Sequence, residues 1–75
     1  MKLDEIKKPS SVEIKSISQE SLSNDAMRFG IEPGKMVEVV NVIPGGPIVI
    51  QLGEQQVAIG RELARSIDVE IKAKD

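Results

Sequence analysis

Apolar and polar positions alternate along most of this chain, and only one short segment departs from that rhythm. Val12-Glu13-Ile14-Lys15 reads as a first strand with Val12 and Ile14 inward. Ile17 falls out of phase with Ile14, which predicts a bulge or the end of the strand. Leu22, Ala26 and Phe29 then recur at i, i+4, i+7, the spacing of one helical face. Ser18-Gln19-Glu20-Ser21 supplies N-cap candidates and early acidic charge for that helix. Asp25 and Arg28 are spaced to pair on its other side. Gly30 stands where a residue of positive φ ends a helix, and Pro33-Gly34 reads as the turn into the next strand.

Residues 36–43 form the longest strand candidate. Val37 and Val39 point one way and Val40 and Val42 the other, so the pattern predicts a bend in mid-strand. Pro44-Gly45-Gly46-Pro47 is a connection, Ile48, Ile50 and Leu52 mark a third strand, and Gly53-Glu54-Gln55 is the next turn. Val57 and Ile59 mark a fourth strand, ended by Gly60. Residues 61–65 suffice for a single helical turn, of α or 3₁₀ type. Ile67, Val69 and Ile71 close the pattern as a last strand, with Asp68, Glu70 and Lys72 toward water. Near the start, Leu3 and Ile6 are spaced to cap one end of the structure from a single turn. The connections are too short for βαβ crossovers, so the strands must be antiparallel, in a small, partly closed barrel with open edges that can pair between copies.

Composition narrows this picture. The 75 residues predict one domain, 1–75, near the lower size limit for a self-sufficient core. With no cysteine and no histidine, no disulfide forms and no metal site can be built on thiolate or imidazole. Phe29 is the only aromatic residue, so isoleucine, valine and leucine must fill the core around it. The formal charge of −2, with acids and bases interspersed, argues against a nucleic-acid partner. No apolar run approaches the ~20 residues of a membrane span, and Met1-Lys2-Leu3-Asp4-Glu5 lacks the apolar stretch of a signal peptide. The expectation is a cytoplasmic protein without membrane insertion.

Candidate chemistry is sparse. Gly30-Ile31-Glu32-Pro33-Gly34-Lys35-Met36 differs from a phosphate-binding loop in glycine spacing, in the proline, and in the methionine where Ser or Thr holds magnesium. Gly45-Gly46 reads as a turn rather than a ligand cradle. Asp68 and Glu70 share a strand face, but two carboxylates make no dedicated cation site. Ser66 has no base to activate it. No catalytic residue, metal ligand or cofactor is expected. Arg28, Arg61 and Arg65 are candidates for a small basic spot.

The order of these pieces resembles the FeoA family: Phe29-Gly30-Ile31-Glu32-Pro33-Gly34 after a helix, an alternating run from Val37 to Val42, Pro44-Gly45-Gly46-Pro47, then Val57-Ala58-Ile59 leading through Ala64 to Ile67 and Val69. The likeness spans roughly residues 3–71. It departs at Asp25-Ala26, Ile59-Gly60-Arg61 and Pro9-Ser10. The resemblance implies a mostly β fold, a small SH3-like β-barrel of about five antiparallel strands, with one short helix after the first strand and a helical turn before the last. It implies an accessory protein of ferrous iron uptake, not an enzyme. Its partner would be a ferrous iron permease with a cytosolic GTPase domain. A related module forms the C-terminal domain of iron-dependent repressors, so a regulatory module with another protein target is the alternative. Met27 and Arg28 are the candidate partner-binding residues, and a homo-oligomer is compatible with the open edges. A Pro-rich peptide ligand is disfavoured, since grooves for such peptides are lined with aromatics.

Overall fold

The computed structural model describes residues 1–18, 24, 26–28 and 30–72. Leu22, Asp25 and Phe29, on which the helix face, the ion pair with Arg28 and the single core aromatic were placed, lie outside the described residues. Five strands form one antiparallel sheet: β1 (Ser10–Ile17), β2 (Met36–Val42), β3 (Ile48–Leu52), β4 (Gln55–Ile59) and β5 (Ile67–Ile71), in the spatial order β4-β3-β2-β1-β5. A 3₁₀ turn, Leu3–Glu5, precedes β1, and a four-residue α-helix, Arg61–Ala64, precedes β5. The expected five antiparallel strands are all present. The closure is not: β4 and β5 lie at opposite edges, so the sheet is open.

Buried aliphatic side chains line one face of the sheet. Val12, Ile14, Val37, Val39, Ile48, Ile50, Ile59, Ile67 and Val69 come from the strands, and Leu3, Ile6, Ala26, Ile31 and Ala64 come from the connections that fold over them. β-branched residues suit this arrangement, because a restricted χ1 costs little on a pleated surface.

Two bulges reconcile the strand pattern with that single buried face. Between β1 and β5, Ile14 faces Val69 and Ser16 faces Asp68, so Lys15 is the extra residue. Between β2 and β3, Val39 faces Ile50 and Asn41 faces Val49, so Val40 is the extra residue. An extra residue shifts the two-residue alternation by one. Ile17 and Val42, each out of phase with the residues before it, therefore return to pack against the core. The phase changes at Ile17 and in mid-β2 are both explained.

Some boundaries differ from the pattern. β1 runs through Ser10 and Ser11, because these pair with Val39 and Glu38 across the sheet, and at eight residues it outruns β2. Ile71 keeps the inward phase opposite Val12, but it is 47% exposed, since β5 is an edge strand and the core ends before it.

Candidate protein-binding surface

Residue 24 and residues 26–28 are helical. The helix ends in two capping bonds: the Ile31 N–H donates to the Ala26 carbonyl at 3.0 Å, and the Gly30 N–H donates to the Met27 carbonyl at 3.0 Å. This is the Schellman arrangement, with Gly30 at φ +88° in the position that requires a left-handed residue. Ala26 and Ile31 are fully buried and anchor the helix end in the core. Met27 and Arg28 are left facing outward, with Met27 54% exposed. The next turn is fixed as well. The Gly34 N–H donates to the Ile14 carbonyl at 2.7 Å, and the Ile14 N–H donates to the Lys35 carbonyl at 2.9 Å.

The structure gives the three arginines different surroundings. Arg28 and Arg65 are exposed, but Arg61 is half-buried and its guanidinium is occupied. Its Nε donates to the Gly46 carbonyl at 2.7 Å, Nη2 to the Ile43 carbonyl at 2.9 Å and Nη1 to the Asp4 carbonyl at 3.1 Å. Arg61 thus clamps the β2–β3 connection to the N-terminal turn and contributes to structure, not to a basic spot. A shallow cleft of about 460 Å³ lies beside the clamp, lined by Ile6, Lys7, Val42, Pro44, Gly45 and Arg61. Ile43, 40% exposed, tops the clamped turn. Sequence spacing gave no sign of this clamp, because its acceptors are remote along the chain from residue 61.

The carboxylates also find partners. Glu13 and Glu70 face one another across β1 and β5. Lys72 lies 2.8 Å from Glu70 and 3.3 Å from Glu13, and Lys15 lies 3.6 Å and 3.7 Å from the same pair. The Lys72 hydrogen bond, reinforced by the charges of Lys72 and Lys15, holds the Glu70 carboxyl below its ordinary range. The hydrogen bonds to Glu70 and Glu13 in turn raise Lys72. The signal was present in the sequence as Glu-x-Lys at 13/15 and at 70/72, but only the register joins the two pairs. Asp68 is separate: its carboxylate lies 3.2 Å from the Met1 amine. Among the described residues, no three acidic side chains converge in a way that could hold a metal ion. No helix is long and apolar enough to cross a membrane among the residues described.

This arrangement offers exposed side chains on a rigid frame, and comparison with known proteins gives it a context. The family model of the FeoA domain matches residues 1–71. The chain belongs to the FeoA family. No curated protein matches it. Among solved structures, it is similar to the crystal structure of an iron uptake regulatory protein, FeoA, at 26% identity and a TM-score of 0.85, covering 96% of this chain and 97% of that one. It is similar to the FeoA protein of Chlorobium tepidum at 28% identity and a TM-score of 0.82, covering 100% of this chain and 73% of that one. A FeoA-like protein of Clostridium acetobutylicum gives 26% identity and a TM-score of 0.86, covering 100% and 90% respectively. The small SH3-like β fold and the association with ferrous iron transport are those of the FeoA family.

Proposed function

We propose that this FeoA-family chain is a cytoplasmic accessory protein of ferrous iron uptake that acts by docking on the GTPase-bearing region of the membrane permease, with no catalysis of its own. The observation that supports this reading is the FeoA match over residues 1–71, which runs from the N-terminal turn through the last strand. The contact face is the end of the helix, where Met27 and Arg28 project from a backbone held by the Gly30 cap. An exposed methionine beside an arginine suits such a face: the thioether adapts to an apolar surface, and the guanidinium meets carboxylates.

The test is titration of the purified chain against the intact permease in detergent, with and without guanine nucleotide and Fe²⁺. Saturable binding is expected. The double variant M27A/R28A should weaken it by about tenfold or more, as loss of a central arginine contact does. Absence of binding in every combination overturns the reading. So does affinity of the chain itself for Fe²⁺ tighter than micromolar in calorimetry, which would make it a metal-binding protein.

A further inference from the structure

The two edges of the sheet are finished differently. At the β5 edge the chain adds its own first residues: the Val69 N–H donates to the Met1 carbonyl at 2.7 Å, the Met1 nitrogen donates back to the Val69 carbonyl at 3.2 Å, and Lys2 bridges to Asp68. That edge is covered at Asp68 and Val69. Among the described residues, none adds a further strand at the β4 edge, and none makes a backbone hydrogen bond to Gln56 or Ala58 from outside the sheet.

The hairpin fixes which groups of β4 point outward. Leu52 and Gln55 close a two-residue turn, with Gly53 at φ +60° and Glu54 at negative φ, the type II′ pattern. In such a hairpin the closing pair is hydrogen-bonded, and the pairs alternate from there. Gln55, Val57 and Ile59 therefore bond to β3, while the N–H and C=O groups of Gln56 and Ala58 face away from the sheet. Edge strands are commonly blunted by a proline, a lysine, a bulge or an inward charge. β4 has none of these: Gln55-Gln56-Val57-Ala58-Ile59 carries no charge, and its register with β3 is unbroken.

We propose that β4 pairs antiparallel with β4 of a second copy of this chain, about a two-fold axis through Val57. The sequence of the strand is what favours a second copy. In that register Gln56 faces Ala58 of the other copy, and the four outward backbone groups of each chain are satisfied by the same four groups of its mate. No like charges meet, because the strand is neutral. Val57, left half-buried by its own sheet, stands against the second Val57 at a non-hydrogen-bonded position and is covered by it. The contact is one strand wide, at the small end of interface sizes, so the dimer is weak and concentration-dependent. This inference is independent of the permease reading.

The test is sedimentation velocity from micromolar to millimolar protein. The wild-type chain shifts from monomer to dimer with concentration. A58P removes an outward N–H and no bond to β3, so the fold is kept, as circular dichroism would show, while association weakens by about tenfold or more. Q56K/A58K sets lysines opposite each other in both halves of the pairing and abolishes the dimer; Q56K/A58E sets opposite charges there and restores it. Because the chain has no cysteine, V57C also gives a direct readout. Paired positions at the axis lie about 4.5 Å apart at Cα, within disulfide range, so V57C cross-links under mild oxidation and E32C, on an exposed turn, does not. A wild-type chain that stays monomeric to millimolar overturns the proposal. A dimer that survives both A58P and Q56K/A58K, or V57C cross-linking no faster than E32C, does so equally.

Discussion

Truncating Arg61 to alanine removes the three guanidinium hydrogen bonds at 2.7, 2.9 and 3.1 Å that join the β2–β3 connection to the N-terminal turn. A hydrogen bond from a charged group contributes about 1.5–3 kcal/mol, but that full value does not apply here. The side chain is half-buried, and the freed Gly46 and Asp4 carbonyls can turn to water. The Ile43 carbonyl keeps its bond from the Gly46 N–H at 2.8 Å. Releasing the arginine also returns up to ~2 kcal/mol of rotamer entropy. The balance is a loss of about 2 kcal/mol, from a total of roughly 4–11 kcal/mol for a chain of this size. A domain of this length should then melt roughly 8–16 °C lower. R61K separates charge from geometry: an ammonium keeps the charge but not the planar fork, and should recover no more than about half of the loss. Urea unfolding followed by far-ultraviolet circular dichroism is the assay, since the chain has no tryptophan or tyrosine to report by fluorescence. An R61A variant that loses less than ~0.5 kcal/mol, within the range of ordinary surface substitutions, would refute the clamp. So would an R61K variant as stable as wild type.

Two further predictions follow from the same surfaces. A methyl group added at Gly46 would lie 2.8 Å from Ile43 Cγ2, so G46A should cost about 1–3 kcal/mol, and I43A in the same chain should recover part of it; equal thermal stability of G46A and wild type contradicts the close approach. Glu70, held low by Lys72 and Lys15, contributes stability that is present above the ordinary carboxylate range and fades as pH falls through its depressed value; Lys72, held high, contributes stability that is present below its ordinary value and is lost as pH rises through the raised one. In K72M the Glu70 titration followed by carboxyl NMR should move back up, by less in high salt, and an unmoved midpoint would dissociate the pair.

The strands were legible because side chains on a half-buried sheet must alternate, and Val12, Ile14, Val37, Val39, Ile48, Ile50, Ile67 and Val69 all do so. Even the breaks at Ile17 and in mid-β2 carried information, since an extra residue in one strand leaves a phase error in the sequence. Gly30 was legible for a local reason too, as a backbone position that a side chain would strain. What could not be read depends on distance along the chain. Ser10 and Ser11 are strand only because β2 lies beside them. Arg61 binds carbonyls at residues 4, 43 and 46, which nothing in its own neighbourhood announces. The pairing of Glu13 with Glu70 needed the β1–β5 register. Open edges were expected in general terms, but which edge the N-terminus covers follows from the strand order and not from the strands themselves.

That strand order also governs how the chain is made. β2, β3 and β4 are joined by short turns and can zip together as soon as they leave the ribosome, whereas β1 sits between its neighbours β2 and β5. Its outer flank stays bare until residues 67–71 emerge, so for most of synthesis the nascent polypeptide carries a second sticky strand. A stop codon a few residues before Ile67 would make that transient condition permanent, and the shortened product should collect in inclusion bodies rather than accumulate as a slightly weaker protein.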